Sequence, residues 1–264
     1  MKQWVLIAIA SLAVIGCATV AGTDRRQLRL IPSSELLAMS FQQYDQFLAE
    51  NPVSEDAEAT AMVQEVGQRL ARTVDAYLRE IGRARDADAY AWEFQLIESD
   101  VANAWAMPGG KIAVYTGILP LTRDETGLAV VLAHEIAHVV AEHGNERMSQ
   151  ALITQLGGAA LMSALGEQPD RTRDLWLIAY GVGAQLGVLL PYSRLHETEA
   201  DRLGLMFMAM AGYDPRAAID FWERMAAMKQ GASPPQFAST HPSDANRIRD
   251  IREFMPQALE YYRP

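Results

Sequence analysis

Residues 130–143 read Val-Val-Leu-Ala-His-Glu-Ile-Ala-His-Val-Val-Ala-Glu-His. Inside this stretch lies His134-Glu135-Ile136-Ala137-His138, the pattern H-E-x-x-H. On a helix, residues four apart share nearly one face about one turn apart, so both imidazoles can reach one small cation. Glu135 sits about 100° further round. That is a poor position for a third ligand and a good one for taking a proton from a metal-bound water. Val130, Val131, Leu132, Ile136, Ala137, Val139 and Val140 make the helix apolar almost all round. Such a helix is buried, and buried imidazoles and carboxylates need partners, which a metal supplies. Two exposed histidines on a polar face, the plain alternative, do not fit these flanks.

A second cluster follows at Ser193-Arg194-Leu195-His196-Glu197-Thr198-Glu199-Ala200-Asp201, which opens another helix. A catalytic zinc takes three protein ligands and keeps one open position. His134 and His138 supply two, and Glu197 is the candidate third. Asp201, one turn on and on the same face, is placed to hydrogen-bond the outer nitrogen of a ligand histidine. His196 and Glu199 point elsewhere and read as surface or secondary contacts. One zinc ion per chain is the expected cofactor. Two imidazoles and a carboxylate favour zinc without excluding another divalent ion.

H-E-x-x-H followed by S-R-x-x-E-x-E-A-D resembles the M48 family of zinc metallopeptidases. Further matching stretches are Asn103-Ala-Trp-Ala-Met-Pro-Gly-Gly-Lys-Ile112 with Thr116-Gly117, and Ser239-Thr240-His241-Pro242 with Arg247 beyond. The resemblance spans roughly residues 55 to 255. It implies His134, His138 and Glu197 as metal ligands and Glu135 as general base. With the strand period of residues 88–116, which reads as a small antiparallel sheet just ahead of the H-E-x-x-H helix, the expected fold is α+β, a mainly helical zincin-like metalloprotease. A quality-control role on cell-envelope proteins follows from the family alone. The metzincin pattern is not met, since it needs a histidine where Gly144 stands; His143 is one residue short and reads as solvating the helix end. His241 either simply separates two segments or lies on a loop over the metal. In the second case it fills the open position at rest or donates to the oxyanion of the tetrahedral intermediate.

The chain has 264 residues, half of them hydrophobic, enough for one large domain. A formal net charge of −10 argues against nucleic-acid partners, because a phosphate backbone demands a basic face. A single cysteine, Cys17, excludes a disulfide within the chain. Residues 1–16 read as a signal peptide, and Val14-Ile15-Gly16-Cys17 resembles the bacterial lipobox. An ordinary cleaved signal or a short membrane anchor is the alternative. Ala18 rather than Asp after the cysteine resembles the sorting pattern for the outer membrane. A lipid at Cys17 would therefore hold the protein on the periplasmic side of the outer membrane.

Residues 17–33 read as a polar tether and 34–264 as the peptidase domain with its N-terminal helices. Ser33 or Ser34 is a candidate cap for a helix to about Glu50, and Ser54-Glu-Asp for a longer one. Residues 88–116 switch to strand period around the turn Pro108-Gly109-Gly110. The strand Asn103, Ala104, Trp105, Ala106, Met107 is the candidate edge for docking an extended peptide. Unfolded or misassembled envelope proteins would be its substrates. Thr122-x-x-Glu125 reads as a capping box for the metal helix. Residues 145–191 read as apolar helices with an exposed loop at 164–174; within them the uncharged run Leu175 to Pro191, with glycines at 181, 183 and 187, is marginal for a membrane span and reads as a buried helix. A binding or assembly factor with weak or latent proteolysis is the rival reading.

Overall fold

The computed structural model describes residues 17–151, 193–228, 235–241 and 245–263. The expected signal peptide, the loop at 164–174, most of the apolar 145–191 stretch, Pro242 and Ser243 lie outside the described residues.

The described residues open with a hairpin, β1 (Cys17–Thr19) paired antiparallel with β2 (Arg26–Leu28). This corrects the tether reading. Val20 and Ala21 in its loop are buried in the main core, and apolar burial of that kind is what orders a short polar segment. Helix α1 (Ser33–Glu50) follows Pro32, which takes the N-cap position without a side-chain cap, so neither serine caps it. Helix α2 (Ala57–Glu80) is capped by Asp56, whose carboxylate accepts from the Ala59 amide at 3.0 Å. Its stripe Val63, Val66, Leu70, Val74 and Leu78 repeats at helical spacing and is fully buried. A short α3 (Ala84–Ala89) leads into the sheet.

Strands β3 (Glu93–Ile97), β4 (Ala104–Met107) and β5 (Lys111–Tyr115) are ordered β3-β5-β4. β4 and β5 form the expected hairpin, with Gly109 at φ 84° and Gly110 at φ 89° in the turn. Both values suit glycine alone. β3 and β5, however, pair in parallel, Phe94 opposite Ile112. The sheet is therefore mixed, not antiparallel. The chain runs from β3 to the outer edge first, and the hairpin then returns β5 into the middle.

A 3-10 turn (Thr116–Ile118) and α4 (Leu119–Thr122) precede α5 (Glu125–Val140), the H-E-x-x-H helix. Thr122 ends α4 instead of capping α5; Asp124 caps α5, accepting from the Gly127 amide at 2.8 Å. Every α5 residue from Gly127 to Val140 is buried, as its flanks require. Residues 143–151 are again helical. Helix α6 (Arg194–Met210) is capped by Ser193 and packs extensively along α5. Then come α7 (Ala217–Met228), α8 (Gln236–Thr240) and α9 (Ala245–Glu260). One apolar cluster joins α2, α5, α6, α7 and the sheet. The result is the mainly helical α+β architecture expected. Among the described residues, no helix is long and apolar enough to cross a membrane.

Candidate metal centre

Gly204 sets how closely α6 crosses α5. A Cβ built there would stand 3.1 Å from the His134 amide nitrogen and 3.2 Å from the Ala133 carbonyl. That close approach puts the first turns of α6, with Glu197 and Asp201, beside the histidine face of α5. The third contributor is His241, at the C-cap of α8. Its amide donates to the Phe237 carbonyl at 2.9 Å, and the Phe237 amide donates to the Ala102 carbonyl at 3.0 Å, just ahead of β4.

Four donor side chains converge. His134 Nε2 lies 3.1 Å from His138 Nε2 and 3.5 Å from Glu197 Oε2. His138 Nε2 lies 3.4 Å from Glu197 Oε1. His241 Nδ1 is 3.1 Å from both His134 Nε2 and Glu197 Oε1. Four ligands at about 2.1 Å from one tetrahedral ion stand about 3.4 Å apart. The separations above are near that value, with Glu197 turning Oε2 toward His134 and Oε1 toward His138 and His241. A single proton can bridge two such nitrogens, whereas one cation serves all four donors. His134, His138, Glu197 and His241 are all buried and fit a small divalent ion.

The surroundings hold each donor. Asp201 Oδ1 sits 3.0 Å from His134 Nδ1, on the far side of the ring. Arg247 grips the same carboxylate through Nε at 2.8 Å and Nη2 at 2.7 Å, and reaches Glu197 Oε2 through Nη1 at 2.8 Å. Its guanidinium lies 3.4 Å over the Trp222 ring. Burial opposes ionisation of Glu197, but the charges of His241 and Arg247 outweigh it and hold its carboxyl well below the usual range. Burial alone would lower His134; the Asp201 and Glu197 carboxylates override that and push it up to about 9. Glu135 is 1 % exposed, and burial raises its carboxyl. Its Oε1 is 3.3 Å from His241 Nε2.

One reading of the sequence is corrected here. His143 does not solvate a helix end: it is fully buried, with Nδ1 2.9 Å from His138 Nδ1 and Nε2 2.9 Å from Glu199 Oε2. Of the two alternatives for His196 and Glu199, surface or secondary contacts, the structure has the second: both are buried, and His196 Nε2 meets Glu146 Oε2 at 3.0 Å. Sequence reasoning also gave Arg247 no role. The available signal was an arginine shortly after the loop histidine, matched to two carboxylates one turn apart.

The edge strand is β4, which covers Ala104–Met107. Asn103 precedes it, with its carbonyl accepting from the Tyr115 amide at 3.0 Å. Ala106 and Met107 line a cavity of about 100 Å³ shared with Leu36, Tyr90, His138 and Val139. The strand edge and the metal helix therefore face one mostly apolar space.

Residues 32–255 match the family model described as Peptidase family M48. The chain belongs to peptidase family M48. This M48 chain is 44 % identical over 168 residues to the mitochondrial metalloendopeptidase OMA1 of Schizosaccharomyces pombe, covering 63 % of this chain and 48 % of that protein. It is 36 % identical over 182 residues to the Saccharomyces cerevisiae protein of the same name, covering 66 % and 50 %. It is 31 % identical over 187 residues to the beta-barrel assembly-enhancing protease of Yersinia pestis, covering 67 % and 38 %. The M48 chain thus spans half or less of the length of these curated relatives.

Proposed function

We propose that the protein is a zinc-dependent metalloendopeptidase that cleaves extended or unfolded segments of cell-envelope proteins. The observation that carries this reading is the convergence of His134, His138, Glu197 and His241, whose ligand atoms all lie within 4.8 Å of one another, beside the buried carboxyl of Glu135. Zn2+, when bound, supplies a Lewis acid and a water of lowered pKa. Glu135 Oε1 takes up a proton and returns it to the leaving amine. Its burial, by raising its affinity for that proton, brings it nearer the working pH. Asp201 keeps the His134 ring oriented, with Arg247 behind it. The β4 edge offers main-chain hydrogen bonds with little demand on sequence, and the apolar cavity beside it receives a side chain.

His241 closes the site at rest. Its Nδ1 takes the fourth corner of the donor set while its Nε2 faces Glu135. Water and substrate therefore need this ring to move. Once displaced, it is near enough to donate to a developing oxyanion. The same closure favours the second reading, an assembly or chaperone-like envelope factor whose proteolysis is latent. The name of the Yersinia pestis relative is consistent with either.

We further propose cleavage of residues 1–16 and lipid attachment at Cys17, on the periplasmic side of the outer membrane. The support is the apolar stretch ending in Gly16-Cys17. Unfolded envelope proteins would be the partners, and the acidic balance speaks against nucleic acid.

The deciding experiment is Glu135→Gln in the full chain. Zinc content should stay at one ion per chain while casein hydrolysis falls by about 100-fold or more. Undiminished hydrolysis would remove Glu135 from the mechanism. Complementation separates the two readings: an envelope defect repaired as well by Glu135→Gln as by wild type makes binding the main role. Acyl labelling that survives Cys17→Ser would remove the lipid anchor.

A further inference from the structure

We infer that Glu199 and His143 form a two-step positioning relay for His138, and that Arg25 of the N-terminal hairpin locks it. The inference rests on His138 being a metal ligand.

The proton positions follow from the chemistry of the atoms. Glu199 accepts at both oxygens, from the Thr23 hydroxyl at Oε1 and from Arg25 Nε at Oε2. His143 Nε2, 2.9 Å from Glu199 Oε2, therefore carries the hydrogen and donates. A neutral imidazole then has its lone pair on Nδ1. That lone pair faces His138 Nδ1 at 2.9 Å, so His138 donates from Nδ1. The lone pair of His138 is left on Nε2, the atom in the donor set. The two metal-facing histidines of α5 are thus oriented differently. Asp201 holds His134 directly. His138 is held at one remove, carboxylate to imidazole to imidazole.

The base of the relay is anchored from the other end of the chain. Arg25 Nε donates to Glu199 Oε2 at 2.9 Å. Its Nη1 and Nη2 donate to the two oxygens of Glu146 at 3.0 and 2.7 Å. The Thr23 hydroxyl donates to Glu199 Oε1. His196 bonds Glu146 and stacks on His143, centroids 4.5 Å apart and planes 25° apart. The His143 ring is therefore fixed along its edge by hydrogen bonds and across its face by a second ring. Thr23 and Arg25 sit in the loop of the β1–β2 hairpin, which begins at Cys17. The seating of that hairpin and the aim of His138 are one connected set of contacts.

A simpler account is an ion-pair staple that only fastens the hairpin to the body. It predicts lower melting temperatures for variants and an unaltered metal site. The relay predicts a changed metal site. The test uses the full chain, zinc affinity by chelator competition, and the visible spectrum of the cobalt(II)-loaded protein. His143→Phe keeps a ring and removes both nitrogens. It should weaken metal binding about 10–100-fold, the usual effect of losing a partner behind a ligand histidine, and shift the cobalt bands. Arg25→Gln should do the same more weakly. Wild-type affinity and an unshifted cobalt spectrum in His143→Phe would overturn the relay, whatever its melting temperature. Should that variant fail to fold, Glu199→Gln, of the same shape, takes its place: wild-type affinity and unshifted bands there overturn the relay equally. Wild-type protein that takes up neither ion would overturn the metal-centre reading and the relay with it.

Discussion

Arg247 joins Glu197 to Asp201, its Nη1 2.8 Å from Glu197 Oε2 and its Nη2 2.7 Å from Asp201 Oδ1. One guanidinium thus balances two buried carboxylates on successive turns of α6, while Trp222 covers its face. Removing it leaves two buried carboxylates with only the His134 imidazole between them. Arg247→Ala should cost about 3–5 kcal/mol in urea unfolding of the metal-free protein. Arg247→Lys should recover little of this, because an ammonium cannot reproduce the forked contact. A lysine variant as stable as wild type would show that charge alone suffices.

His241→Ala should raise resting casein hydrolysis several-fold, since the ring stands between the other three donors and Glu135. The ion should also be held less tightly, with one donor fewer. Turnover and metal affinity both unchanged would mean that the ring neither blocks nor assists.

Gly204→Val should destabilise the fold by about 1–3 kcal/mol. The added side chain meets main-chain atoms of α5 at His134, which cannot swing aside. Forcing the helices apart should also separate Glu197 from the histidines. Thermal melting and chelator competition should therefore fall together. Loss of stability with unchanged metal affinity would show that the crossing distance does not set the site.

Acid stability should depend on Glu146. Burial opposes its charge, but hydrogen bonds from His196 and Arg25 outweigh that and bring its carboxyl from 4.5 down to about 2. A carboxyl depressed by folding stabilises the native state above its unfolded pKa. That contribution is lost as pH falls from about 4.5 toward about 2. Glu146→Gln should cost about 1–3 kcal/mol at pH 6, and the gap to wild type should close as the pH approaches 2. Denaturant titrations at several pH values measure it. A gap independent of pH would assign the loss to packing.

What the sequence determined by itself was local. The spacing of His134 and His138 on an apolar helix, the offset of Glu135 from their shared face, and Glu197 with Asp201 on one face follow from helical geometry over a few residues. The β4–β5 hairpin was legible for the same reason, from its Pro-Gly-Gly turn. The tertiary structure decided what depends on distant segments. The parallel pairing of β3 with β5 needs the order in which strands enter the sheet, which no strand's own pattern records. His143 looked like a solvated helix end because its partners lie elsewhere: Glu199 on α6, and behind it Arg25, which is 121 residues from Glu146. Arg247 meets Asp201 across 46 residues. Helix periodicity is written in neighbouring residues; which buried charge faces which is set only when the helices close on one another.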